Sequence, residues 1–197
     1  MDGLLRFVSR SIVHLPEVYG FAGFASLARF EILKPSTDSA VLAELIKSPE
    51  FEGPGYDEPT PTAEELQQRR ELRDRIIKNL LTRGNKVRML PMDRRPRHGP
   101  FFVSEIHVGS YKLTTGAHAR AVLKEWARER EEFSAEAPPA QLERQIYTAL
   151  DAPRVYSLVE MGEGTEWPGV YGLWAYCEFV AIDHNEQRLS LVMAAYD

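Results

Sequence analysis

The chain has 197 residues and a formal net charge of −5. Its 44% hydrophobic and 27% charged residues are typical of a folded globular protein, and its length suits one compact domain or two small ones. Its single cysteine, Cys177, excludes an internal disulfide and favours a reducing compartment, so we expect a cytoplasmic location. The acidic balance disfavours a dedicated nucleic-acid binder, and no apolar run approaches the roughly 20 residues that span a bilayer.

The N-terminal residues carry apolar side chains at helical spacing, which predicts a helix over 3–14 that ends before Pro16. Arg6 and Arg10 interrupt the apolar residues, so the segment lacks the unbroken core of a secretory signal. Its arginines and serines leave a transit peptide as the alternative to a helix docked on the fold. The apolar positions are Leu4, Leu5, Val8, Ile12 and Leu15.

Residues 20–34 are apolar and ambiguous between helix and strand, and a short helix is predicted over 38–47. An acidic segment rich in proline and glycine follows over 48–62. We therefore predict a single domain, 1–197, with a helical N-terminal subregion 1–47 joined by this linker. After it, Thr62 and Glu65 form a capping box for a helix that runs to about Arg83.

The remainder of the chain mixes strands and helices. Its predicted helices cover 117–133 and 138–150. The expected fold is α+β, an antiparallel sheet of about five strands with helices 63–83, 117–133 and 138–150 packed against it. The predicted strands are Lys86–Leu90, Phe101–Val108 with Tyr111–Leu113, Val155–Val159, Gly169–Ile182 and Leu189–Tyr196.

The strand 169–182 is apolar on both faces, whereas an antiparallel strand with one solvated face alternates apolar and polar residues. One face carries Cys177 and its alternate neighbours. The other carries Trp174 and Tyr176, with a single charge at Glu178. Helices can cover one face, so the N-terminal segments or a partner molecule must cover the other.

No catalytic or metal-binding signature is evident, and no cofactor is expected. The five histidines are scattered without zinc-ligand spacing, and Cys177 lies in an apolar strand where a thiol packs as a small hydrophobe. Thr115 and Gly116 before a helix indicate ordinary capping rather than an anion cradle. Three glutamates in one glycine-rich loop are the remaining acid–base candidates: Glu160, Glu163 and Glu166.

The strongest charge feature is a basic segment over 83–98, which carries six cations against the single acid Asp93 in an acidic chain. Such a segment is typical of a loop that clamps phosphates, meets an acidic partner, or pairs with the protein's own acids. Its candidate binding residues are Arg88, Arg94, Arg95 and Arg97. Trp167, in a loop, either packs on the sheet or anchors a contact.

These features favour a non-enzymatic protein-interaction protein: a subunit or adaptor of a larger complex, or an inhibitor of the immunity type. Its partner is expected to be another protein, in a hetero-complex or a homo-oligomer, with no membrane involved. Binding is assigned to the arginines above with Trp167, Trp174 and Tyr176. The alternatives are a nucleic-acid-associated protein that uses 83–98, and an enzyme that uses the glutamates of 160–166.

Overall fold

A computed structural model describes residues 3–18, 21–51, 96–131, 140–159, 161, 165 and 174–196. The chain divides into two units, residues 1–54 with 96–197 and residues 55–95, and every residue described below belongs to the first. Three predicted segments lie wholly or mostly outside the described residues: the helix 63–83, the strand 86–90 and the linker 48–62. The single-domain organisation stays a prediction.

The described strands confirm an α+β fold whose main sheet is antiparallel and has six strands, in the order β1-β2-β8-β7-β6-β5. A separate two-stranded ribbon pairs β3 with β4. The strands are β1 (Leu5–Val18), β2 (Phe21–Ile32), β3 (Arg97–His98), β4 (Phe101–Phe102), β5 (Tyr111–Thr114), β6 (Arg154–Leu158), β7 (Trp174–Asp183) and β8 (Arg188–Tyr196).

The predicted helix over 3–14 is wrong, because this segment forms the long strand β1, which pairs antiparallel with β2. The register shifts between Phe7 and Ser9, so Val8 is the extra residue of a β-bulge. A bulge breaks the two-residue alternation of a strand, and the resulting spacing imitates a helical period. Pro16 is tolerated because it lies in a second register shift, between Leu15 and Val18, at the end of the outermost strand β1.

The predicted helix 38–47 is confirmed as α1 (Asp38–Lys47), with Thr37 Oγ1 accepting a hydrogen bond from the Ala40 N–H at 3.3 Å. The helix predicted from 117 is confirmed as α2 (Gly116–Glu131). Thr115 Oγ1 accepts from the His118 N–H at 3.1 Å, which confirms the capping interpretation.

Two sequence-based assignments are confirmed only in part. Within the predicted helix 138–150, the described residues form a π-helical turn, Leu142–Ile146, followed by a 3₁₀ turn, Tyr147–Leu150. Within the predicted strand Phe101–Val108, only the first two residues are extended, and 3₁₀ turns follow at Val103–Glu105 and Val108–Ser110. In the described residues, no helix is both long enough and apolar enough to cross a membrane.

Both faces of the sheet are covered by the chain itself. On one face, α1, Phe51 and the 101–111 segment pack against Phe30, Val180 and Leu191. On the opposite face, α2 and the 142–150 turns pack against residues that include Leu27, Phe179 and Val192. The weak alternation of β7 therefore reflects a three-layer arrangement. On the face that carries Val180, the cover comes from α1 and Phe51 in the N-terminal part of the chain together with the 101–111 segment.

Candidate functional site

The structure describes only part of the predicted site. Arg97 is half-buried in β3, and Tyr176 is half-buried in β7. Trp174 begins β7, but its side chain lies outside the description. The other predicted site residues also lie outside it, so their roles stay predictions: Arg88, Arg94, Arg95, Trp167, Glu160, Glu163 and Glu166.

A buried polar network surrounds Glu178, the single charge on the apolar face of β7. Its carboxylate accepts a hydrogen bond from His98 Nε2 at 2.5 Å and one from the Tyr111 hydroxyl at 2.5 Å. The Tyr176 hydroxyl donates to the same carboxylate. The other ring nitrogen, His98 Nδ1, donates to the Phe51 carbonyl oxygen at 2.5 Å. The side chains of His98 and Glu178 are both fully buried.

Both ring nitrogens of His98 face oxygen atoms, Nδ1 the Phe51 carbonyl and Nε2 the Glu178 carboxylate. Burial acts to raise the pKa of Glu178. The charge and hydrogen bond of His98, with the hydroxyls of Tyr111 and Tyr176, outweigh burial and leave the pKa of Glu178 lowered. The network is thus a buried ion pair in which both carboxylate oxygens are satisfied.

The two tyrosines are held as hydrogen-bond donors. Burial, followed by the neighbouring charge of Glu178, raises the pKa of Tyr111 and of Tyr176 well above the usual value. Both hydroxyls therefore stay protonated at neutral pH. The hydrogen bonds of the network link the sheet to the segments around Phe51 and His98. Because the Glu178 carboxylate is fully enclosed, it offers no surface to a substrate.

A second polar cluster lies at the start of α1. Asp38 accepts hydrogen bonds from Arg154 Nε at 3.0 Å, from His184 Nε2 at 2.6 Å and from the Tyr156 hydroxyl. Burial acts to raise the pKa of Asp38, but the hydrogen bonds from Tyr156 and His184 and the charge of Arg154 lower it overall. The cluster fixes the helix start to β6 and to the β7–β8 turn.

No grouping of three or more histidine, cysteine, aspartate or glutamate side chains suited to a metal ion occurs in the described parts of the chain. Cys177 is half-buried and packs beside the α2 face of the sheet.

The outer edge of β1 is the feature that sequence reasoning missed. β1 is an outermost strand of 14 residues, and no described strand pairs with its outer side. Phe7 is 39% exposed and Val8 is 58% exposed on this strand, and Leu33, just after β2, is 43% exposed. Open backbone donors and acceptors beside exposed apolar side chains form a template for an added strand. The helix prediction concealed this edge, because a helix has no unpaired edge.

A groove of about 250 Å³ runs beside this edge, on the face that α1 covers. Its walls combine apolar side chains with three charged ones. The lining residues are Leu5, Phe7, Phe30, Glu44, Lys47, Ser48, Pro49 and Glu50. We call it the edge groove. It lies next to a strand edge with which no other described strand pairs.

Comparison with known proteins adds no family. No family model matches the chain, and no curated protein matches it. Among solved structures, a crystal structure of citrus MAF1 is similar to this chain with a TM-score of 0.44 and 11% sequence identity, over 93% of this chain and 91% of the citrus chain. A similarity this low supports no conclusion about function.

Proposed function

We propose that the protein is a non-enzymatic protein-interaction protein, a subunit, adaptor or inhibitor, that binds its partner by strand addition to the outer edge of β1. The observation that carries the proposal is the 14-residue outer edge of β1, which no described strand pairs with and on which Phe7 and Val8 are exposed. Backbone hydrogen bonds along such an edge supply affinity, and neighbouring pockets supply specificity.

Cover on the sheet faces bears on which surface a partner would bind. In the described part of the chain, helices and turns pack on both faces of the sheet, which favours its edges as the surface for a partner. The opposite edge, β5, has only four residues, Tyr111–Thr114, so it offers a much shorter ladder. Three of the four large hydrophobic side chains exposed in the described residues lie at or beside the β1 edge, and the fourth is Leu113 on β5.

Site-specific photo-crosslinking in the native host tests this proposal. A photoreactive phenylalanine analogue replaces Val8 in one strain and Leu113 in the other. These residues are both 58% exposed, one on each edge, so they form a matched pair. We expect a discrete adduct with another protein from position 8 and none from position 113. Equal adducts at both positions, or no adduct at position 8, would contradict the proposal.

A further inference from the structure

We infer that the β1 edge takes an extended segment of another protein that carries an apolar side chain and, two residues further on, an acidic one. This inference rests on the proposed function and adds the chemistry of the partner. The apolar side chain occupies the edge groove, and the acidic side chain lies beside Arg10.

The apolar requirement follows from the groove. Leu5, Phe7 and Phe30 line it on the sheet side, and the Phe7 and Phe30 rings meet edge to face at 5.5 Å. An added strand points alternate side chains toward the same face of the sheet. One of these side chains therefore enters the groove, where it covers apolar surface that is now partly exposed.

The acidic requirement follows from Arg10. Its terminal NH2 donates to the backbone carbonyl of Glu50, which is not a charged partner. Its Nε is buried without a hydrogen-bond partner, and no described carboxylate pairs with it. In contrast, Arg6 on the same strand is neutralised by Glu31. Arg10 as a whole is only half-buried, so an incoming carboxylate can approach the charge of its guanidinium, although the buried Nε is out of reach.

The spacing follows from the register. Phe7 pairs with Phe30 and Arg10 pairs with Ala28, and both Phe30 and Ala28 belong to the core under α1. Phe7 and Arg10 thus share one face, because the bulge at Val8 absorbs the extra residue. A regular partner strand presents side chains to that face every two residues, about 6.8 Å apart. An acid shifted by one residue would point to the opposite face.

Charge also argues against a second copy of the chain as the occupant. β1 has no acidic residue from Leu5 to Leu15, while it carries Arg6, Arg10 and His14. A second β1 strand beside the first brings another Arg10 and no acid within this stretch to pair with it, and like charges on adjacent strands destabilise a sheet. The net charge of −5 adds a repulsion between whole copies.

Fluorescence anisotropy with labelled synthetic peptides of about ten residues tests the inference, a length that covers most of a strand. All are threonine-based. The first carries valine and, two residues on, glutamate; the second carries lysine in place of glutamate; the third has glutamate shifted by one residue. A fourth reproduces residues 5–15 as a stand-in for a second copy. We expect the first to bind at least about tenfold more tightly than the others, a difference of about 1.4 kcal/mol, and to weaken as salt is raised.

A pair of variants at one exposed position separates the charge effect from loss of the valine side chain. Val8→Asp and Val8→Lys both remove the exposed apolar side chain, but they place opposite charges two residues from Arg10 on the same edge strand. The glutamate peptide should bind Val8→Lys at least about tenfold more tightly than Val8→Asp. Leu113→Asp on the far edge should bind it as the unaltered chain does.

The outcomes distinguish the inference from the proposed function. Three results would overturn the inference that the partner segment is acidic: equal binding of the glutamate and lysine peptides, tighter binding of the 5–15 peptide, or dimerisation of the chain in light scattering. If position 8 still crosslinks to another protein, the β1 edge keeps its role as the contact surface, and only the acidic chemistry of the partner is rejected. If no peptide binds and no adduct forms, both ideas fail.

Discussion

His98 stacks on Phe51 with ring centroids 3.6 Å apart and an interplanar angle of 6°, and the same imidazole donates through Nδ1 to the Phe51 carbonyl oxygen. These two residues lie at the positions where the chain leaves the main unit and returns to it, on either side of the unit 55–95. Glu178 then fixes His98 to the sheet. The entry and exit of the intervening chain are thus joined by one stacked, hydrogen-bonded contact.

This contact predicts that residues 52–95 can be replaced by about four glycine and serine residues without loss of the main fold. Loop length has a weak, logarithmic effect on closure entropy, so a shorter connection between two fixed ends has a small effect on stability. We expect a cooperative thermal unfolding transition and an unchanged far-ultraviolet circular dichroism signal from the sheet. The same replacement combined with His98→Ala should unfold at a clearly lower temperature. Loss of cooperativity in the first variant alone would contradict this prediction.

A double-mutant cycle on His98 and Glu178 should show strong coupling. Removing one partner of a buried ion pair leaves an uncompensated charge, so His98→Ala should lower the free energy of unfolding by about 3–5 kcal/mol. Once His98 is absent, Glu178→Gln should cost much less than it does in the unaltered chain. Chemical denaturation measures all four variants.

The matched control is the exposed pair Arg6 and Glu31, whose side chains are 65% and 39% exposed. Surface pairs of this kind contribute about 0–1 kcal/mol. A coupling between His98 and Glu178 no larger than that of the control pair would show that the buried network is not a stabilising unit.

Acid should destabilise the protein through Glu178. Its pKa is lowered in the folded state, so the unfolded chain binds a proton first as the pH falls below the ordinary glutamate range, about 4.3. The stabilisation is fully present above that range and is lost as the pH falls through the folded pKa. We expect the free energy of unfolding, measured by denaturation from about pH 6 to about pH 3, to fall less steeply in Glu178→Gln.

Asp38→Asn provides a second test of the same sign, because the pKa of Asp38 is lowered as well, with Tyr156, His184 and Arg154 opposing the effect of burial. The pH dependence of the free energy of unfolding should flatten less in Asp38→Asn than in Glu178→Gln, since Asp38 keeps contact with solvent. A pH profile for Glu178→Gln as steep as that of the unaltered chain would remove Glu178 as a source of acid sensitivity.

The α+β class, the helices α1 and α2 and the C-terminal strands β6, β7 and β8 could all be predicted from the sequence. In α1 and α2, local signals agree with tertiary structure: a threonine cap precedes an amphipathic pattern. In β1, the local signals and the tertiary structure disagree. The bulge at Val8 and the pairing with β2 are determined by residues distant in sequence, so local periodicity predicted a helix where an edge strand forms.

In the buried network, the sequence pattern marks only Glu178 as unusual. Glu178 is an acid in an otherwise apolar strand face, and a buried acid requires a partner. The partner, His98, lies 80 positions earlier and reaches Glu178 only through the tertiary fold. Spacing along the chain therefore does not reveal the pair, and the same holds for Asp38 with His184.

Gly99 should be the most sensitive glycine near this network. It has a positive φ of 54°, and a Cβ placed on it would lie 2.5 Å from the Tyr176 ring, closer than atoms in contact approach. Gly99→Ala therefore strains the turn between β3 and β4 and displaces the ring that donates to Glu178. We expect the free energy of unfolding to fall by about 1–3 kcal/mol or more, since the steric displacement adds to the backbone strain.

Gly109→Ala is the matched control, because its added Cβ meets only the exposed His107 ring, at 3.0 Å, and its φ is not positive. That side chain can move aside, so the change should alter stability by less than about 0.5 kcal/mol. Near-ultraviolet circular dichroism of the tyrosine bands should change in Gly99→Ala and not in Gly109→Ala. Equal stability of the two variants would mean that the packing of Tyr176 against the β3–β4 turn does not constrain the buried network.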